Sequence, residues 1–206
     1  QDVTLDTAGK TLNSDGTTIT NNGTLIIQGD GIINSENCAI MNSSNLTIEK
    51  STIKSNIHGL NNTGKIMVSD STIETKGIGI INSGDFVFNF GSLVSEGQYT
   101  ISNSKNITIS GGTIENKYTG SEENYTIICN NRDKINGTSE CITNVNITGG
   151  LVKAPESGNK VAIITSNAYT NGTITVSGGT IESDNSGIIN SKGKTNVSGG
   201  TISSIG

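Results

Sequence analysis

Asn45-Leu46-Thr47-Ile48, Lys65-Ile66-Met67-Val68 and Asp85-Phe86-Val87-Phe88 each begin a copy of one repeating unit. Further copies begin at Asn106-Ile107-Thr108-Ile109, Asn146-Ile147, Thr173-Ile174-Thr175-Val176 and Thr195-Asn196-Val197. With Ile27, Ile48, Val68, Phe88 and Ile109 as equivalents, the steps are 21, 20, 20 and 21 residues, and Val176 to Val197 is again 21. A fixed period of this size belongs to a solenoid, whose residues are read by column from coil to coil.

Three apolar columns emerge. One alternating pair holds Leu25/Ile27, Leu46/Ile48, Ile66/Val68, Phe86/Phe88, Ile107/Ile109 and Ile174/Val176. A second holds Ile32, Ile53, Ile73, Leu93, Ile114, Val152, Ile181 and Ile202. The third holds Ile19, Ile40, Leu60, Ile80, Ile101, Ile127, Ile163 and Ile188. These stretches are too short for helices, and β-branched residues at period two suit strands. Each copy therefore predicts one coil of three short strands.

Two residues past the third column stand Asn21, Asn42, Asn62, Asn82, Asn103, Cys129, Thr165 and Asn190. An asparagine at a bend caps its own backbone and, stacked beneath its copy, passes its amide along the stack. The fixed phase predicts an asparagine ladder through Asn21, Asn42, Asn62, Asn82, Asn103 and Asn190. Glycine marks the other bends. Gly23, Gly64, Gly84 and Gly193 close one corner, and pairs such as Gly111-Gly112 and Gly178-Gly179 open another.

The units Ile109-Ser110-Gly111-Gly112-Thr113-Ile114, Val176-Ser177-Gly178-Gly179-Thr180-Ile181 and Val197-Ser198-Gly199-Gly200-Thr201-Ile202, joined to Gly79-Ile80-Ile81-Asn82-Ser83-Gly84, resemble the right-handed parallel β-helix repeats of bacterial surface adhesins. The resemblance spans residues 3 to 206. It implies an all-β, single-stranded right-handed parallel β-helix of eight to nine coils. It says less about function, because the same scaffold carries polysaccharide lyases, pectin-type hydrolases and phage tailspikes.

Composition narrows the remaining choices. Aromatic residues make up only 3% of the chain, a thin core for a compact domain but enough for a narrow internal stack. At about 4.8 Å per coil the rod is roughly 40 Å long. The only proline is Pro155 and no tether interrupts the repeats, so residues 1 to 206 read as one elongated domain. A net charge of -5, with scattered basic residues, supplies no stripe for a phosphate backbone and argues against nucleic acid. No apolar run of membrane-spanning length occurs. The start at Gln1-Asp2-Val3 lacks a targeting segment, which predicts a cleaved leader or an excised piece of a larger surface protein. The expected location is extracellular, on a cell surface or secreted. Open ends would need flanking coils, another domain or end-to-end contact between copies.

Departures from the period locate a candidate binding region. Ile109 to Ile147 spans 38 residues, which places extra residues between Asn116 and Tyr125 and a further step of twelve from Cys129 to Cys141. Both cysteines count to the ladder position, as feet of one excursion. They are expected to form a disulfide, the other reading being two small buried thiols. Cys38 reads as a buried thiol. Ile147 to Val176 is also too long, with insertions around Ala154 to Lys160 and Ser166 to Asn171. Coils six and seven thus carry insertions at matching corners, which go outward because stacked coils tolerate no bulk between them.

That flank gathers Tyr118, Glu122, Glu123 and Tyr125 from the first insertion and Arg132, Asp133 and Lys134 from the second. Lys153, Glu156, Lys160 and Tyr169 come from coil seven. Tyrosine faces inside a charged rim suit a ligand, a host or microbial cell-surface protein or glycan. The plainer reading is solvated loops with ordinary charges.

The enzyme reading fares worse. Outward columns such as Lys54, Glu74, Val94 and Glu115 concentrate no carboxylates, and His58, the only histidine, has no patterned nucleophile or acid beside it. The hydroxyl column Thr52, Thr72, Ser92, Thr113, Thr180 and Thr201 is interrupted at Gly31 and Leu151, so it reads as local backbone satisfaction and not as an ice-binding array. The sequence thus predicts a noncatalytic adhesin-type module with no cofactor or metal. The alternatives are a structural stalk and a fragment of a polysaccharide lyase or glycoside hydrolase.

Overall fold

The computed structural model describes residues 2–130, 141–155, 160–165 and 170–204. It is a right-handed parallel β-solenoid of about nine turns. Each coil lays one strand into each of three sheets, here A, B and C. In coil four these are Lys65–Ser69, Ser71–Thr75 and Ile78–Asn82. Among the described residues sheets A and B hold nine strands and sheet C eight, each strand paired in parallel with its equivalents in the coils before and after.

The predicted columns fill the bore. Ile66 pairs with Leu46 and Phe86, Ile73 with Ile53 and Leu93, and Ile80 with Leu60 and Ile101. Full burial of each such side chain is worth about 1.5–3 kcal/mol. Phe86 and Phe88, the largest side chains in the stack, share coil five with their rings 6.3 Å apart. One assignment shifts: Ile33, not Ile32, occupies the second column, since it pairs with Ile53 while Ile32 pairs with Thr52. The corner at Gly29 (φ 99°) and Asp30 (φ 58°) holds one residue more than its successors, and a slip of one residue exchanges inward for outward positions. The hydroxyl column is accordingly interrupted by Ile32, not by Gly31.

The asparagine ladder is continuous through the first five coils. Each side-chain Nδ2 donates to the Oδ1 of the next copy: Asn21 to Asn42 at 2.7 Å, then Asn42 to Asn62, Asn62 to Asn82 and Asn82 to Asn103 at 2.8 Å. The same amides donate to turn carbonyls, and each Oδ1 accepts a backbone N–H two residues on, as from Gly64 to Asn62 at 3.1 Å. Inside a dry bore such groups are tolerated because their donors and acceptors are used. Cys129 ends the ladder, paired in register with Asn103 and Thr165. Asn190 holds the column position but bonds separately, accepting the Thr165 hydroxyl at 2.8 Å.

A second polar column lines the corner between sheets B and C. Ser35, Ser55, Thr75, Ser95 and Asn116 are buried in successive coils. The Ser95 hydroxyl accepts the Gly97 N–H at 3.1 Å and donates to the Gly77 carbonyl one coil back at 2.7 Å. Ser35 and Ser55 likewise cap their own turns and tie them to the preceding ones, whereas the Thr75 hydroxyl donates to the Gly77 carbonyl of its own turn. The periodic signal was present at Ser35, Ser55, Thr75 and Ser95, yet hydroxyl side chains are common enough here to hide it.

Sheet C carries isoleucine on its outer face as well in four of its coils. Behind inward Ile80, Ile127, Ile163 and Ile188 stand outward Ile81, Ile128, Ile164 and Ile189. The Ile-Ile doublets are the mark of a strand covered on both faces. On coils six and seven that outer layer is buried: Tyr125, Ile128 and Val161 form a small cluster, with Tyr99 and Ile164 packed against it.

Candidate functional site

The insertions lie where the period placed them, at the corners on either side of sheet C. Residues 117–123 connect the coil-six strands Thr113–Asn116 in sheet B and Asn124–Cys129 in sheet C. In coil seven the sheet-C strand begins at Lys160, directly opposite Asn124. On the other side, the strands Cys141–Ile147 and Thr170–Val176 enter sheet A three residues earlier than their predecessors and pair along seven residues. Cys141 therefore belongs to an extension of sheet A opposite Thr170, and only Cys129 keeps the ladder position. The side chain of Cys141, and with it the predicted disulfide, lies outside the described residues. So do Arg132, Asp133, Lys134, Glu156 and Tyr169.

The remaining residues of the predicted site fall into two groups. Around loop 117–123, Asn116 Oδ1 accepts the Tyr118 N–H at 2.8 Å and turns the chain outward. The loop folds back on itself. A Cβ at Gly120 would lie 2.3 Å from the Tyr118 ring, so the glycine permits this contact. Lys160, only 4% exposed, reaches across from coil seven. Its Nζ donates to the Gly120 carbonyl at 3.2 Å and sits 5.5 Å from the centroid of Tyr118. The lysine is a clasp between two insertions, its charge held by a carbonyl dipole and an aromatic face.

Beside the clasp, Tyr125 stacks on Tyr99 with centroids 5.9 Å apart. Its hydroxyl donates to Glu123 Oε2 at 2.6 Å. Burial first, then the hydrogen bond to Glu123 and its negative charge, push the Tyr125 phenol up to about 12. Gln98 Nε2 holds the Glu123 carbonyl at 2.8 Å, while the Glu122 and Glu123 side chains stay at the surface. Lys153 stands apart on the outer face of sheet B, where its Nζ approaches Glu115 at 3.7 Å. The structure thus joins Tyr118, Glu123, Tyr125 and Lys160 at one corner, with Glu122 at its rim, and separates Lys153 from them.

A different concavity lies on the rod itself. A groove of about 380 Å³ runs along coils two to six, between the outward column Asn34, Lys54, Glu74 and Val94 of sheet B and the turn column Asn56, Lys76, Glu96 and Lys117. Lys54 and Glu74 pair at 3.0 Å across adjacent coils. Glu115 receives Lys117 at 3.5 Å. The sheet-B column was legible in the sequence; the turn column escaped notice because its members lie in corners, outside the strand pattern.

No family model, curated protein or solved structure matches the chain.

Proposed function

We propose that this is a noncatalytic, extracellular adhesin-type module that presents the flank of coils six and seven to a cell-surface protein or glycan. The observation that supports this reading is the local abandonment of the period at matching corners of two adjacent coils, together with the clasp by which Lys160, at the start of the coil-seven strand, holds loop 117–123. An insertion serving only as filler would need no such clasp. Tyr118 and the surface carboxylates Glu122 and Glu123 offer an aromatic edge with acidic hydrogen-bond acceptors, suited to hydroxyl-rich or basic partners. The test is a glycan and matrix-protein array with the intact chain and with a variant shortened at both 117–124 and 154–160. Binding should disappear in the variant while its circular dichroism remains that of a β-rich rod.

The second reading is a stalk whose role is length. It is favoured by the internal use of the Lys160 ammonium and the Tyr125 hydroxyl, which fold the flank onto itself. Absence of binding by the intact chain, or binding indifferent to the shortened loops, would select it.

A further inference from the structure

The groove along coils two to six reaches the flank at Lys117, and its charges are partly uncommitted. Lys54 is engaged by Glu74, and Lys117 by Glu115. Between these pairs stand Lys76 and Glu96, both exposed, on adjacent coils of the turn column. Among the described residues neither side chain has an ion pair or a hydrogen bond. Their backbones are locked in step, the Lys76 N–H on the Ser55 carbonyl and the Glu96 N–H on the Thr75 carbonyl. Among the described residues the groove therefore holds one free cation and one free anion about one coil apart, beside half-buried Val94.

We propose that this groove binds a zwitterionic glycan lying along the rod axis, with a carboxylate on Lys76 and an ammonium on the neighbouring sugar against Glu96. Three features select this chemistry. The balance of sign disfavours polyanions, which would meet Glu74 and Glu96, and polycations, which would meet Lys54 and Lys76. The groove lies on a sheet face whose strands are already paired, so an extended peptide finds no edge to join. Spacing disfavours a peptide as well: its same-face side chains repeat at about 6.7 Å against about 4.8 Å between coils, and the registers part within two coils. A glycan of alternating acidic and amino sugars can alternate its charges with the coils, and Asn34 and Asn56, which already donate to Asn13 and Glu36, line the groove with their remaining amide groups toward its hydroxyls.

The experiment titrates the isotope-labelled chain with a hexasaccharide of alternating glucuronate and de-N-acetylated glucosamine, read by amide chemical shifts. An oligogalacturonate, a glucosamine oligomer and a Glu-Lys repeat peptide are run in parallel. The expected result is shifts confined to coils two to six for the zwitterionic probe and weakening with salt. Lys76→Met and Glu96→Gln should each weaken binding by about fivefold, the size of an exposed charge contact. Both positions are on the surface, and an unchanged urea midpoint establishes that a variant still folds. No binding of the zwitterionic probe overturns the proposal, as does equal binding of either single-sign oligomer or the peptide. Affinity indifferent to both substitutions does so too. The charges tested, Lys76 and Glu96, lie on coils four and five, outside the segments shortened to test the flank, so the flank reading stands or falls separately.

Discussion

Coils two to five and coils six to eight are built from the same columns and held by different means. In the first group the interior corner is an asparagine ladder in which every member bonds to the next. In the second the same corner holds Cys129, Thr165 and Asn190, and cohesion comes partly from outside the bore. There Tyr125, Ile128 and Val161 pack on the outer face of sheet C and Lys160 clasps loop 117–123. A coil with no added residues is joined to its neighbours by its interior, its ladder bonds and small surface pairs such as Lys54–Glu74. A coil with insertions can place a second apolar layer outside, and its polar column is then free to vary.

The largest effect expected from this contrast is at Asn62, which is fully buried in mid-ladder. Asn62→Ala removes its bonds to Asn82, Gly64 and Asp85 and takes away the acceptor of the Gly64 N–H and one of the acceptors of the Asn42 amide, costing about 3–5 kcal/mol in urea denaturation. Thr165→Val in the same column, with fewer partners, should cost about 1 kcal/mol. Equal costs would remove the distinction between the two regions.

Glycines give the next contrast. A Cβ at Gly84 would lie 1.9 Å from the Gly64 carbonyl oxygen, backbone against backbone, whereas at Gly120 the obstacle is the Tyr118 side chain. Gly84→Ala should cost about 2–3 kcal/mol, and Gly120→Ala less than about 1 while displacing the tyrosine. Thermal melts of the two variants, with near-ultraviolet circular dichroism following the tyrosines, measure both.

A pH titration separates the regions more gently. The Tyr125 phenol is raised from its ordinary value near 10 to about 12, so folding favours its neutral form. That contribution is fully present below pH 10 and is lost as pH rises through about 12. Tyrosinate absorbance should show a late-titrating component, and Tyr125→Phe should remove it. The smallest effect on stability is expected from Lys160→Met, which keeps the apolar stem and removes the ammonium. Global stability should shift by less than about 1 kcal/mol, while amide exchange quickens in 117–123 and stays unchanged in coils two to five.

The rod was largely legible because a period near twenty repeats each structural requirement often enough to rise above chance. The ladder was found from Asn21 to Asn103 because asparagine at one phase is a chemical statement. The serine column was missed because Ser35, Ser55, Thr75 and Ser95 look like ordinary strand-end hydroxyls until their turns are seen. Ile33 was misplaced for a simpler reason: two adjacent isoleucines leave the inward one undetermined until the length of the preceding corner is known. The insertions could be placed by counting, but Lys160 and Gly120 are forty residues apart, and nothing periodic announces that they touch. The groove stayed hidden in the same way, since its turn column is defined by stacking in space.

The main-chain ladder bonds of all three sheets, like the asparagine chain, run along the rod while the strands run across it. Tension between the two ends therefore loads coil-to-coil contacts in series, and the rod should yield by peeling one coil from the next, not by shearing. Its mechanical strength is then that of its weakest junction. The Asn103–Cys129 step, where the amide chain stops, is the place at which the outer packing of Tyr99 on Tyr125 must carry the load in its stead.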